Sequence, residues 1–257
     1  MYTVTLLFHD DLNFFLPSRP RDTAFTVTFK GKRSVKDLIE SLGVPHVEAD
    51  IIIVREKPAG FTYMVMDGDH IEIYPYDHTQ PVPEAVRLIP PPYSDPRFIC
   101  DVHLRKLARS LRLLGFDVRF DESLDDAAIS LIALSENRII LTRDRRLLMR
   151  KVVTLGYTVR STDPDEQIIE ILRRFHLLDR CSSFTRCIEC NGNIEWLDLS
   201  DESNSSDISR IPPGVIIWCD EYYRCAVCRR IYWKGSHYDR LIRKTETILG
   251  TDTRNDR

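Results

Sequence analysis

Two C-x-x-C pairs, Cys187/Cys190 and Cys225/Cys228, constrain this chain more than any other feature. Thiols at that spacing sit on the turns of hairpins, and two such knuckles facing each other give the tetrahedral Cys₄ set that holds structural Zn²⁺. Four sulfur ligands leave no open coordination position, so the centre is read as architectural rather than catalytic. The 34 residues between the pairs are many for such a ribbon, and the polar run "DLSDESNSSDIS" is expected to absorb them as a mobile loop. Cys100, Cys181 and Cys219 read as ordinary core or near-core residues, with His237 a weaker alternative ligand. An odd total of seven cysteines, four of them paired for metal, argues for reduced thiols and against a disulfide framework.

At 257 residues and 43% apolar, the chain is long enough for two or three compact units with real cores. No run approaches the roughly 18 uninterrupted apolar residues of a membrane span. "MYTVTLLFHDDLNFF" lacks a basic segment followed by a cleavable apolar one. A soluble, cytoplasmic protein with no membrane partner is therefore expected. Net charge is only −3, but it is unevenly spread. Residues 1–80 carry 8 Lys and Arg against 12 Asp and Glu, residues 97–180 carry 16 against 13, and residues 221–250 carry 7 against 3. A polyanion would meet the later segments and avoid the first.

The order of patterns suggests several domains. Over 1–78, alternating "YTVTLLFHD" and "TAFTVTFKG" precede a helix capped by Ser34, and then "ADIIIVREK", "FTYMVM" and "HIEIYPY" read as strands. Residues 79–96 are Pro-rich and read as an extended linker, packed at Val86, Leu88 and Ile89. Across 97–180, strands "RFIC", "DVRF", "RIILT" and "YTVRS" alternate with helices over 103–114, 126–136, 145–155 and 164–176. This predicts a parallel-sheet α/β domain. Residues 181–240 form the ribbon, and 241–257 read as a polar tail.

In an open parallel sheet, ligands gather outside the carboxyl ends of the strands. Asp101 follows "RFIC", Asp144 follows "RIILT", Asp163 follows "YTVRST", and Asp126, with Asp125 beside it, opens a helix after the second strand. Each acid has a plain alternative, since Asp is a favoured helix N-cap. Taken together they offer the oxygen donors preferred by Mg²⁺ or Mn²⁺, and such ions can cleave phosphodiesters without a Ser, His or Cys nucleophile. His103, two residues from Asp101, reads as a helix-start residue or a substrate-orienting one.

Several separate stretches carry a resemblance: "ICDVHLRKLARSLRLLGFDV", "DDAAISLIALSENRIILTRDRRL", "FTRCIECNG" and "YRCAVCRRIYWKGSHYDRL". They are similar to the Mut-seven C-terminal RNase family, a PIN-like nuclease domain followed by a zinc ribbon. "IIIVREKPAGFTYMVMDGDHIEIYPY" resembles the ubiquitin-like β-grasp domain that often precedes it. The resemblance spans about residues 1–240. It implies metal-dependent RNA cleavage at Asp101, Asp126 and Asp144, with Asp163 a fourth candidate, and leaves Asp125 as an alternative second acid. The chain departs from the family pattern at Arg105, where Gly is common, and at Ser110, where Trp is common. A modifier or sulfur-carrier role is not expected, because no two glycines of the chain are adjacent.

Arg105, Arg109 and Arg112, at i, i+4 and i+7, are expected to form one face opposite the leucine stripe. With Arg143, Arg145 and Lys234 they are candidate contacts to RNA phosphates. Tyr232, Trp233 and Tyr238, interleaved with basic residues, suit single-stranded bases or simply pack the ribbon. The competing function is a non-catalytic RNA-binding adaptor, with a ubiquitin-like domain that recruits a protein partner in either case. Since residues 1–78 hold none of the candidate acids, that segment is expected to be dispensable for cleavage.

Overall fold

The computed structural model describes residues 1–76, 82, 86–89 and 95–252. The chain forms two compact units, Met1–Asp95 with Ser123–Thr158 and Pro96–Glu122 with Val159–Arg257.

The first unit opens with β1 (Tyr2–Phe8), β2 (Phe25–Phe29), α1 (Val35–Ser41), β3 (Ala49–Val54), β4 (Lys57–Ala59) and β5 (His70–Pro75). The strands form one sheet in the order β2-β1-β5-β3-β4. β1 pairs antiparallel with β2 and parallel with β5, while β3 pairs antiparallel with β5. Alternation in β1 turns Val4, Leu6 and Phe8 inward, where they share a core with Val35, Leu38 and Ile39 of α1. Ser34 and Asp37 close a capping box at the start of α1. One helix on a mixed sheet is the expected β-grasp architecture. "FTYMVM", however, is not a strand. Its backbone groups turn to the segment around the start of α1, with Val35 N–H donating to Tyr63 O and Val65 N–H to Arg33 O. The extra sheet strand is β4, too short for alternation to reveal.

Most of the Pro-rich linker lies outside the described residues. Where it is described, the buried Asp50 carboxylate accepts from Ile89 N–H at 2.8 Å and from Arg87 at 2.5 Å, and Leu88 packs on the β-grasp core. Val86 is exposed rather than packed.

The second unit begins with β6 (Arg97–Cys100), a 3₁₀ turn over Val102–Leu104, α2 (Arg105–Leu113) and β7 (Asp117–Arg119). β6 and β7 are parallel, and Leu104, Leu107, Leu111 and Leu114 are buried as their spacing predicts. Gly115 terminates the helix at φ +96°, where a Cβ would lie 2.3 Å from the Ser182 carbonyl oxygen. Both the left-handed backbone and that close approach require glycine.

The first unit resumes with α3 (Asp126–Glu136), β8 (Ile139–Thr142), α4 (Arg145–Leu148) and β9 (Gly156–Thr158), β8 and β9 again being parallel. α3 has the predicted bounds and ends on left-handed Asn137. α4 is one turn rather than the helix expected over 145–155, because Val152, Val153 and Thr154 are β-branched and disfavour its continuation. This stretch is tied to the β-grasp sheet's own loops. His46 Nε2 lies 2.9 Å from Val153 O, Glu48 accepts from Thr158 N–H at 2.6 Å, and the Arg145 guanidinium sits 5.0 Å from the Phe15 ring centroid. The N-terminal segment is therefore part of the support of residues 145–158.

The second unit closes with α5 (Pro164–Arg174), β10 (Ile194–Trp196), α6 (Ser205–Ile208), α7 (Pro213–Ile216), β11 (Tyr222–Cys225), β12 (Ile231–Trp233) and α8 (Ser236–Asp252). β10, β11 and β12 form an antiparallel three-stranded sheet. "DLSDESNSSDIS" is not an irregular loop but contains a 3₁₀ turn over Glu202–Asn204 and α6. Asp207, 2% exposed, receives Arg224 at 2.9 Å and also Arg229, which pins α6 to the ribbon. Residues 241–252, read from the sequence as polar tail, continue α8. Among the described residues no helix is long and apolar enough to cross a membrane.

Glu48 supplies a direct test of how the N-terminal segment is used. Glu48→Ala leaves the buried Thr158 N–H without its acceptor and should cost about 1–3 kcal/mol in urea unfolding, with Glu48→Gln losing much less.

Candidate functional site

Cys187, Cys190, Cys225 and Cys228 place their sulfurs within 4.8 Å of one another. Two turns bring them there. Asn191 N–H donates to Cys187 O across the first knuckle, and Arg229 N–H to Cys225 O across the second. The residue after each second cysteine, Asn191 at φ +70° and Arg229 at φ +59°, takes the left-handed conformation that reverses the chain. Asn adopts it readily; Arg does so only where the surroundings hold it. Val227 and Cys228 N–H groups point at Cys225 Sγ at 3.4 and 3.5 Å. The donor set is all sulfur, closed and tetrahedral in number, and fits Zn²⁺.

Tyr232 was not singled out as part of this centre, yet its hydroxyl lies 3.0 Å from Cys187 Sγ. Burial pushes the Cys187 thiol up, but the Tyr232 hydroxyl and the Cys190 and Glu189 N–H groups outweigh it and hold the thiol at about 7. Hydrogen bonds of this kind around a thiolate orient a ligand and tune it. Burial raises the Cys228 thiol to about 12, so a cation is what would bring that sulfur to its ligating form.

The expected arginine face is only partly present. Arg112 is 3% exposed and does not face solvent. Its Nε donates to Val118 O at 2.9 Å, and its Nη1 to Glu189 O at 2.7 Å and Ile188 O at 3.2 Å. A buried guanidinium must find acceptors for its donors, and the i+7 position points it at the first knuckle rather than outward. Asn191 completes the joint, its Oδ1 accepting from Val118 N–H at 3.0 Å and its Nδ2 donating to Asp117 at 2.8 Å. Arg109 pairs with Glu189 at 2.5 Å and Arg105 with Glu122 at 2.7 Å, both partly exposed. Arg143 is exposed, and Lys234 pairs with Glu221 at 2.5 Å. Arg145 is stacked on Phe14 and Phe15 and is held within the first unit.

The candidate acids are divided between the units: Asp101 and Asp163 in the second, Asp126 and Asp144 in the first. Most serve as helix caps. Asp101, 5% exposed, accepts from His103 N–H at 2.9 Å; Asp144 accepts from Arg146 N–H at 2.8 Å. Asp163 accepts from Asp165 and Glu166 N–H. Asp125, not Asp126, caps α3, accepting from Ala128 N–H at 2.8 Å. Asp126 is exposed in the first helical position.

A model for the Mut7-C RNAse domain matches residues 96–245, and a model for the Mut7-C ubiquitin domain matches residues 1–81. The chain belongs to the Mut7-C family, with its RNAse domain preceded by the family's ubiquitin-like domain. Neither the curated proteins nor the solved structures contain a match.

Because the first knuckle is riveted to α2 and β7, loss of metal should spread beyond the ribbon. Cys187→Ser is expected to release about one zinc per chain and to speed hydrogen exchange at the Val118 N–H, whose acceptor is Asn191. Zinc loss with unchanged exchange there would show that the joint holds without metal.

Proposed function

We propose that this chain is a divalent-metal-dependent ribonuclease of the PIN-like type, hydrolysing single-stranded RNA. The observation that carries the proposal is the match of the Mut7-C RNAse domain over residues 96–245, a span that includes all four candidate acids. Asp101, Asp126 and Asp144, with Asp163 as a fourth, are the residues that would hold Mg²⁺ or Mn²⁺. Carboxylate oxygens are the donors these hard ions prefer. When bound, the metal would supply an activated water and charge stabilisation for phosphodiester hydrolysis. Arg105, Arg109 and Arg143 are the exposed cations that would hold a phosphate backbone. Zn²⁺ on the four cysteines is structural, and the ribbon adds to RNA affinity. The acidic ubiquitin-like domain is a surface for a protein partner as well as a support for residues 145–158. Seven free cysteines suit a reducing compartment such as the cytoplasm.

A second reading, an RNA-binding adaptor without catalysis, is favoured by the capping bonds, since Asp101, Asp144 and Asp163 each already have a structural task. Asp126 separates the two, because Asp125 performs the capping at α3. Asn caps nearly as well as Asp, so Asp101→Asn and Asp144→Asn should keep their stability under either reading. A ribonuclease predicts that Asp126→Asn and Asp144→Asn each lower Mg²⁺-dependent cleavage of single-stranded RNA by orders of magnitude with melting temperature unchanged. An adaptor predicts no cleavage by the wild type and unaltered RNA binding by both variants. Full cleavage by Asp126→Asn and Asp144→Asn would remove the site as drawn.

A further inference from the structure

The second unit contains a cavity of about 360 Å³ between the end of α2, the ribbon sheet and the start of α8. Five aromatic side chains line it: Phe184, Tyr223, Tyr232, Trp233 and Tyr238. All five are neither fully buried nor exposed. Arg186 adds positive charge to the wall, beside Lys234 in its ion pair with Glu221. We propose that this cavity is a base-binding site, in which an unpaired nucleobase of single-stranded RNA stacks on the aromatic wall while its phosphates face the Arg186 and Lys234 side. The inference rests on the RNA-directed reading above and extends it to a site built from residues other than the acids.

Several observations point the same way. The size is at the small end of ligand sites, which run about 300–1,000 Å³, and suits one planar heterocycle rather than a helix or strand of a partner. Base–aromatic stacking needs only π-faces and tolerates every base, so an aromatic wall with few directed polar groups fits a sequence-tolerant nucleic-acid site. A paired base has both faces covered, which makes the site selective for single strands. Phe184 holds a left-handed backbone, φ +66°, with its N–H donated to Leu113 O at 2.9 Å. An aromatic residue rarely adopts that conformation, and strain of this kind collects at ligand sites. Here it keeps the Phe184 ring 4.8 Å from that of Tyr238, on the cavity wall. Arg186 is held in turn by the Gly115 and Asn191 carbonyls, so its charge is fixed in place before any ligand arrives. The Arg186 charge, held by neutral carbonyls rather than by an acid, is what favours a nucleotide over an apolar side chain of a protein.

The test uses the full-length, zinc-loaded protein in magnesium-free buffer, so that cleavage does not consume the probe. Two labelled oligomers of equal length are compared, an oligouridylate and its abasic ribose-phosphate counterpart. The abasic oligomer should bind about ten-fold more weakly, the loss expected of one stacked base. Tyr238→Leu should weaken oligouridylate about ten-fold and leave the abasic oligomer unchanged, while Tyr238→Phe, which keeps the ring, stays near wild type. Ser183→Trp, which fills the cavity from another segment, should erase the preference for bases, and it decides the matter if Tyr238→Leu fails to fold. Equal affinity for the two oligomers, or no binding of either, overturns the proposal. So does an unaffected base preference in both variants, which would leave the cavity to an apolar peptide side chain. Base-preferring binding by a protein that never cleaves RNA with Mg²⁺ would sink the ribonuclease reading and keep the pocket. Cleavage with base-independent binding would do the reverse.

Discussion

The buried guanidinium of Arg112 is the contact on which the second unit depends. It sits where α2, the end of β7 and the first cysteine knuckle meet, and three backbone carbonyls receive it. An unsatisfied charge there would cost several kcal/mol, so the carbonyls of Ile188 and Glu189 can hardly leave without the fold losing α2 as well. Burial lowers the pKa of Arg112, and the nearby Cys100, Cys187, Cys190 and Glu189 act against that. A zinc ion bound by four thiolates leaves a net negative centre, and the positive charge placed beside it is its natural complement. The cysteine cluster and α2 are thus held together by this guanidinium, and joined again by Asn191 and by Gly115 against Ser182.

The same economy of charge explains the ribbon's long insertion. A polar run between the knuckles would remain unstructured if nothing answered its acids. Here Asp207 is buried against two arginines from β11 and the second knuckle, and Leu197, Ile211, Cys219 and Tyr222 make a small core beneath. Apolar burial alone is slight for so short a segment. Paired buried charges carry the specificity, with Arg229 held in a left-handed turn where its guanidinium can reach Asp207.

Much of this was legible in the sequence because it obeys local rules. The cysteine spacing, the leucine periodicity of α2, the Ser34 cap and the bounds of α3 follow from patterns within a few residues. What was hidden depends on partners far along the chain. Arg112 has the same helical spacing as Arg105 and Arg109, and only the knuckle 76 residues later turns it inward. α4 stops because tertiary bonds and β-branched residues override a helical pattern. Among the candidate acids, the sequence placed each at a helix start but could not divide capping from other work; of Asp125 and Asp126, the cap falls to Asp125.

A ubiquitin-like domain is usually pictured as an appendage joined by a linker, free to swing. Here its 3₁₀ turn at His46–Glu48 supplies a buried carboxylate to β9, its phenylalanines cover Arg145, and its Asp50 gathers the described part of the linker. Arg145 directly follows Asp144, so the backbone that aims a candidate ligand is braced by the N-terminal domain.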